Sequence, residues 1–164
     1  MAESPLHTRV REAPVARRIP AGEDWFGERR GLGVDTLEFK VVGAASAALF
    51  VLENTFHGKG GPPRHLHFAQ DEWFYAIEGE FVIEIGEERM RLGCGDSVFA
   101  PRQVPHVWAH VGNGRGRVVI AFAPAGRMEA FFREVTKANA MPPRDPELWH
   151  AHGMQVVGPP LAIP

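Results

Sequence analysis

The chain has 164 residues, of which 45% are hydrophobic and 23% are charged, the usual balance of a single globular domain with a few additions. Eighteen Lys and Arg against twenty Asp and Glu give a formal net charge of −2, so we expect no nucleic acid partner. The most apolar stretch, residues 44–52, is far shorter than the ~20 residues that cross a bilayer, so we expect no membrane span.

The beginning of the chain is polar, rich in arginine and interrupted by prolines. Residues 1–18 lack the apolar segment of a signal peptide, and the single cysteine, Cys94, cannot form an internal disulfide. These features favour a reducing, cytoplasmic location. We predict that residues 1–21 form an N-terminal arm, extended or partly disordered.

Residues 22–124 are predicted to form a β-barrel or β-sandwich. The segments are short, several alternate between apolar and polar residues, and most are bounded by Gly or Pro turns. The predicted strands are residues 37–41, 48–56, 72–78, 80–85, 89–92, 97–100, 106–111 and 118–123. Eight such strands at regular spacing indicate an all-β fold.

The pattern changes after Pro124. Met128, Phe131, Phe132 and Val135 follow the i, i+3, i+4, i+7 spacing of an amphipathic helix. A second short helix is predicted over residues 145–152. We therefore interpret residues 125–164 as a C-terminal helical extension and tail.

Three histidines and one glutamate have the spacing of a metal site. His65 and His67 lie two residues apart, so on a strand both imidazoles point to the same face. Glu72 follows a polar turn and can return on an adjacent strand, and His106 opens another strand. Asp71 is the rival carboxylate, but it faces away if Glu72 faces inward.

The surrounding sequence resembles the two motifs of the cupin family. Residues 60–72, GGPPRHLHFAQDE, followed after six residues by Gly79, resemble the first motif, and residues 95–106, GDSVFAPRQVPH, resemble the second. The chain departs from the family at Gln103, where a glycine is usual, and at His110, which replaces an asparagine. Neither position holds a family metal ligand.

This resemblance implies a cupin double-stranded β-helix, a jelly-roll barrel, with short C-terminal helices. It also implies that His65, His67, Glu72 and His106 bind one metal ion. The donor set suits a divalent ion, namely iron, nickel, manganese, zinc or copper, and does not choose among them. The C-terminal segment resembles single-domain cupins that are called quercetin dioxygenase-like.

Several residues are candidates for a substrate pocket. Phe74 and Trp108 share strand parity with Glu72 and His106, so they can line an aromatic pocket or fill the barrel core. His110 is four residues after His106 and can act near the metal or lie on the rim. We expect desolvation to raise the pKa of Glu72, which would make it the catalytic base for a substrate hydroxyl.

Three functions are compatible with this site. The favoured hypothesis is a metal-dependent dioxygenase, an oxidoreductase that acts on a small aromatic or enolic, flavonol-like substrate. The alternatives are a non-catalytic module that binds a small ligand, and a metal-dependent isomerase or lyase. Because cupins pair through barrel edges, we also expect a homodimer, with the N-terminal arm covering an edge strand.

Overall fold

The computed structural model of the protein describes residues 16–139 and 145–163. These residues form two antiparallel β-sheets followed by short helices, the all-β jelly-roll arrangement predicted from the sequence. The strands are β1 (Arg30–Leu32), β2 (Asp35–Val41), β3 (Phe50–Phe56), β4 (His65–His67), β5 (Asp71–Glu78), β6 (Phe81–Ile85), β7 (Glu88–Leu92), β8 (Ser97–Ala100), β9 (His106–His110), β10 (Gly116–Ala123) and β11 (Met154–Val156). The helices are α1 (Met128–Val135), a 3-10 turn (Thr136–Ala138) and α2 (Pro146–Ala151).

The chain crosses between the two sheets several times, as in a double-stranded β-helix. The first sheet has the order β1-β2-β3-β10-β5-β8, and the second has the order β11-β4-β9-β6-β7. Each of the eight predicted segments is a strand in the structure, with ends that differ by at most two residues. Strands β1, β4 and β11 are not among the eight predicted segments, because each has only three residues, although the spacing of His65 and His67 suggests an extended strand at β4.

Alternation along the strands separates the barrel interior from its outer surface. In β5, Glu72, Phe74 and Ala76 are buried, whereas Trp73 and Tyr75 between them are exposed. The interior is strongly aromatic, with phenylalanines from both sheets in edge-to-face and stacked contact. This packing holds the interior side chains of facing strands in fixed positions.

Two helices and a strand follow the barrel. Helix α1 buries Met128, Phe131 and Val135, the apolar stripe that the sequence predicted. Asp145 caps α2, since its carboxylate accepts hydrogen bonds from two backbone N–H groups of the first turn. Beyond α2, strand β11 pairs with β4, so the predicted extension contributes a strand to the second sheet.

The N-terminal arm is only partly covered by the structure. Residues 1–15 lie outside the described residues. The expectation that the arm covers an edge strand of a second copy therefore lies outside them as well. At the start of the barrel, Asp24 accepts hydrogen bonds from the backbone N–H groups of Phe26 and Phe39 and pairs with Arg30. These contacts lower the pKa of Asp24 even though burial acts in the opposite direction, so Asp24 ties this segment to β2 as a carboxylate.

Candidate metal centre

Two neighbouring strands of the second sheet supply three imidazoles. His65 and His67 occupy the two ends of β4 and point to the same side, and both are buried. His65 is paired directly with His106 of β9, with their ring centroids 4.5 Å apart. This register brings histidines about 40 residues apart in the chain into one group.

The carboxylate of the group comes from the opposite sheet. Glu72 lies near the start of β5, is 3% exposed and faces the three histidines. The neighbouring Asp71 faces outward and forms a bidentate ion pair with Arg102, which lowers the pKa of Asp71 to about 2. Strand alternation therefore separates the two carboxylates: Glu72 lies with the histidines, and Asp71 bonds on the outer face.

The four side chains converge on one point. Each offers one ligand atom, and these atoms of His65, His67, Glu72 and His106 all lie within 4.8 Å of one another. Glu72 Oε2 is 2.9 Å from His106 Nε2 and 3.2 Å from His67 Nε2. These three atoms are buried without a partner in hydrogen-bond geometry. Buried polar atoms without partners are rare, and a shared cation would satisfy all of them.

Backbone carbonyls orient two of the imidazoles. His65 Nδ1 lies 2.7 Å from the carbonyl oxygen of Pro63, and His106 Nδ1 lies 3.1 Å from that of Val104. As donors in these bonds, the Nδ1–H groups leave the Nε2 lone pairs directed at the shared point. The arrangement is that of neutral histidines prepared to bind a metal ion.

The charge states of His65 and Glu72 suit a cation, whereas a metal ion would have to displace a proton that Glu72 favours on His106. Burial lowers the pKa of His65 well below 6.5, and the neighbouring His106 and His67 lower it further, so His65 is neutral at physiological pH. For His106, burial acts downward, but the contact with Glu72 outweighs it and raises the pKa. A centre with neutral imidazole and a carboxylate matches the donors that divalent transition metals take.

The expected pKa of Glu72 is wrong in direction. Burial does raise the pKa of Glu72, but its close contacts with His106 and His67 outweigh that effect and hold the pKa below its usual range. Desolvation alone would raise the pKa of Glu72, but the imidazoles beside the carboxylate were not part of that expectation. Glu72 is therefore ionised at neutral pH.

An apolar cavity adjoins the cluster. Its volume is about 60 Å³, room for several water molecules or a compact organic group. Helices α1 and α2 contribute part of its wall, and His65, His67 and Glu72 open onto it. The remaining lining residues are Leu32, Asp35, Asn54, Phe56, Gly61, Pro62, Trp108, Ile120, Phe122, Met128, Phe131, Phe132, Trp149 and Met154.

The three predicted pocket residues have different positions. Trp108 lies on the cavity wall. Phe74 packs behind it, with its ring 5.5 Å from the Trp108 ring, and is not among the lining residues. His110 is fully buried rather than on the rim, its Nδ1 is 3.1 Å from the carbonyl oxygen of Gly58, and it too is absent from the cavity wall.

Three polar side chains on the cavity wall were not singled out from the sequence. Asp35 and Asn54 lie on adjacent strands, and Trp149 lies on α2 with its ring 5.1 Å from that of His65. Burial raises the pKa of Asp35 to about 7. Alternation along β3 could have indicated Asn54, because it shares a face with Phe50 and Phe56. Asp35 shares a face with Leu37 and Phe39 in the same way, but the predicted strand begins only at residue 37. Trp149 carries no comparable signal.

The departure at Gln103 has a structural counterpart. Gln103 has φ 66°, in the left-handed region that glycine adopts without strain. Its backbone N–H donates to the carbonyl oxygen of His67 over 2.7 Å. The turn before His106 therefore keeps a conformation suited to the glycine usual in the family, and it is anchored to the strand that carries two of the histidines.

Comparison with known proteins agrees with this fold and site. Residues 53–122 match the model of the cupin domain family, a range that contains all four clustered side chains. Over the residues that the structure describes, the chain has the cupin fold, and the matched range makes it similar to the cupin domain family. The four clustered side chains are of types that bind metal ions in proteins, and the cluster could bind one.

Individual relatives are distant. A 60-residue stretch is 33% identical to the tetracenomycin polyketide synthase protein TcmJ of Streptomyces glaucescens, covering 37% of this chain and 40% of that protein. The chain spans about two fifths of the length of the curated relatives it matches. An RmlC-like cupin from Shewanella frigidimarina superposes with a TM-score of 0.54 at 22% identity, covering 69% of this chain and 96% of the other.

A second solved structure supports the same fold. KdgF from a Halomonas species superposes with a TM-score of 0.53 at 21% identity, covering 59% of this chain and 86% of that protein. At such identities the likeness concerns the fold alone. Within the part of the chain that the structure describes, no helix is both long and apolar enough to span a bilayer.

Proposed function

We propose that this protein is a metal-dependent dioxygenase that acts on a small aromatic or enolic substrate. The observation that carries the proposal is the group of four buried ligand atoms, within 4.8 Å of one another, beside a cavity with a mostly apolar wall. A divalent ion held by four protein ligands keeps one or two positions free when it is five- or six-coordinate. An ion held by His65, His67, Glu72 and His106 would supply Lewis-acid chemistry and a template for the reacting groups.

The side chains of the chain itself would bind and orient the substrate. Trp108 and Phe122 present aromatic surface to the cavity, and the small volume excludes bulk water. Glu72 opens onto the cavity as a carboxylate and is our candidate to accept the proton of a substrate hydroxyl. A cavity of about 60 Å³ is smaller than the ~150 Å³ that accommodates benzene, so a one-ring enol or catechol requires some movement of the wall side chains and a whole flavonol requires far more.

Metal binding is the first test. Protein purified without added metal is analysed for its elements, and the stripped protein is titrated with iron(II), nickel or manganese under argon. We expect about one ion per chain, and a loss of affinity of roughly 100-fold or more for His67→Ala. His57→Ala removes an exposed histidine outside the cluster and should bind metal as the wild type does. Equal binding by both variants would contradict the assignment.

Oxygen uptake is the second test. The metal-loaded protein is mixed with a panel of catechols, enols and flavonols in an oxygen electrode. Consumption of oxygen with one of these compounds, lost in His67→Ala, supports a dioxygenase. Product formation under argon would instead support an isomerase or lyase, and bound metal and ligand without turnover would support a binding module.

We also propose that the protein forms a homodimer in a reducing compartment. Trp73, Tyr75 and Phe99 are exposed on the outer face of the first sheet, whose edge strand is β8. Large apolar side chains beside a sheet edge are a common place for two copies to pair. We expect Phe99→Glu to halve the mass seen by light scattering, and an unchanged mass would count against this surface.

A further inference from the structure

A pair of polar side chains interrupts the apolar wall of the cavity. Asp35 begins β2 and Asn54 lies in β3, and the Asn54 side-chain amide donates to Asp35 Oδ2 over 2.5 Å. Their exposed fractions are only 4% and 3%. Both residues line the cavity that His65, His67 and Glu72 also line.

Each member of the pair keeps an unused oxygen. Asp35 Oδ1 and Asn54 Oδ1 are both buried and have no hydrogen-bond partner. An unsatisfied buried acceptor lowers the free energy of unfolding by about 1–3 kcal/mol, so two of them side by side reduce stability appreciably. The neighbouring inward positions, Leu37 and Leu52, show that apolar residues fit this part of the barrel. The pair is therefore better explained by a group bonded to it in the cavity, either ordered water or a ligand, than by the stability of the fold.

We propose that Asp35 and Asn54 form a second polar subsite, which binds a hydroxyl or amino group of the ligand at the end of the cavity away from the metal cluster. The proposal rests on the proposed function in one respect, that this cavity is where the ligand binds. It adds the chemical class of that ligand. A hydroxyl or amino group supplies the donor that Asn54 Oδ1 lacks, and it donates to Asp35 when that carboxyl is ionised or accepts from it when it is protonated.

Strand register sets the length of the ligand. Asn54 is paired with Val118 and Glu72 with Phe122, four residues or roughly 13 Å apart along β10, and β3 and β5 flank β10 about 9.6 Å from each other. The two backbone positions are therefore roughly 16 Å apart. Side chains project into this gap from both ends. A metal–oxygen bond of about 2 Å and a hydrogen bond of about 2.8 Å take up more of it. The remaining space suits one six-membered ring.

The lining between the two sites agrees with such a ring. Trp108, Phe56 and Ile120 lie on the wall, and they offer aromatic and aliphatic surface. The volume of about 60 Å³ is less than the ~150 Å³ that accommodates benzene, so a single ring requires modest movement of the wall side chains and a fused system requires much more. The ligand class is therefore a single-ring compound with oxygen or nitrogen substituents at opposite ends, such as a 1,4-diol or an aminophenol.

Hydroquinone and phenol form a matched pair of probes, because they differ only in the second hydroxyl. Their affinities are measured by NMR titration under argon, with the full-length protein both free of metal and loaded with redox-inert zinc. For the zinc-loaded wild type, we expect hydroquinone to bind about tenfold or more tightly than phenol, because only the diol satisfies both ends of the cavity.

Asp35→Leu combined with Asn54→Leu removes the subsite and conserves approximate volume. Replacing both partners by apolar groups is close to neutral for stability, and Asn54→Leu alone serves if the double variant does not fold. We expect the preference for hydroquinone to disappear while the affinity for phenol stays within about twofold. Thr36→Val with Thr55→Val changes the adjacent cross-strand pair on the outer face and should keep the preference.

Three results would overturn the proposal: equal affinities of the two probes for the wild type, a preference that survives in Asp35→Leu/Asn54→Leu, or no binding of either probe. The first two leave the dioxygenase proposal open, because oxygen uptake is measured separately. Conversely, a protein that binds no metal but still prefers hydroquinone supports the subsite and contradicts only the proposed function.

Discussion

The buried carboxyl of Asp35 predicts how the stability of the protein depends on pH. Burial raises the pKa of Asp35 from 3.8 to about 7, and the hydrogen bond from Asn54 offsets only part of this rise. In the unfolded chain, the pKa of Asp35 returns to its usual value. Between about pH 4 and pH 7 the folded state therefore binds the proton more tightly, so the free energy of unfolding falls as the pH rises.

The size of this effect follows from the two pKa values. One pKa unit corresponds to about 1.4 kcal/mol, so full ionisation of Asp35 in the folded state costs on the order of 4 kcal/mol. The stabilising contribution is complete below about pH 4 and is lost above about pH 7. Water that enters the cavity to solvate the carboxylate would reduce the cost, so this magnitude is an upper bound.

Comparison of the wild type with Asp35→Asn isolates the effect. Both are treated with EDTA and unfolded with urea at several pH values from 5 to 8, and contributions of other groups cancel in the difference. Because the variant cannot ionise at this position, we expect its free energy of unfolding to rise by about 2–3 kcal/mol relative to the wild type between pH 5 and pH 8.

A surface carboxylate provides the control for this measurement. Arg102 holds the pKa of Asp71 at about 2, so Asp71 loses its stabilising contribution only as the pH falls toward that value. Asp71→Asn should therefore differ from the wild type by the same amount at every pH from 5 to 8. Parallel pH profiles for Asp35→Asn and the wild type would refute the argument that Asp35 is buried with a raised pKa.

Three further substitutions test the packing, each by urea unfolding. Gln103→Gly should raise the free energy of unfolding by up to about 1 kcal/mol, because φ 66° is strained for glutamine; a clear loss would contradict this. Gly61→Ala should cost more than about 2 kcal/mol, since its Cβ would lie 2.0 Å from the carbonyl oxygen of Trp108, whereas Gly114→Ala meets nothing and should stay within about 0.5 kcal/mol. Phe131→Ala should cost about 3–5 kcal/mol, because the buried ring leaves a void beside the cavity; a loss below 1 kcal/mol would show loose packing there.

The barrel and the convergence of the candidate ligands were accessible from the sequence because both depend on local patterns. Strand alternation separates Glu72 from Asp71, and the His-x-His spacing puts His65 and His67 on one face. His106 follows from its place at the start of a strand in the second motif. These inferences need only the period of an extended strand and a recognisable pair of motifs.

Other features depend on distant pairings that no local pattern specifies. Strand β11 pairs with β4 across more than 80 residues of chain. Asp35 and Asn54 meet only because of the register between β2 and β3. The pKa of Glu72 was predicted in the wrong direction for the same reason, since it depends on the positions of imidazoles contributed by other strands.

The wall of the cavity combines residues from inside and outside the range that matches the cupin family. The candidate metal ligands all lie within residues 53–122, the range that matches the cupin family. Asp35, Phe131 and Trp149 line the same cavity but lie outside that range. Asn54, Trp108 and Phe122 line the cavity as well and lie inside that range. The ligand that we propose would therefore meet residues from inside and outside the part of the chain that resembles the cupin family, and Asp35 is one that the resemblance does not include.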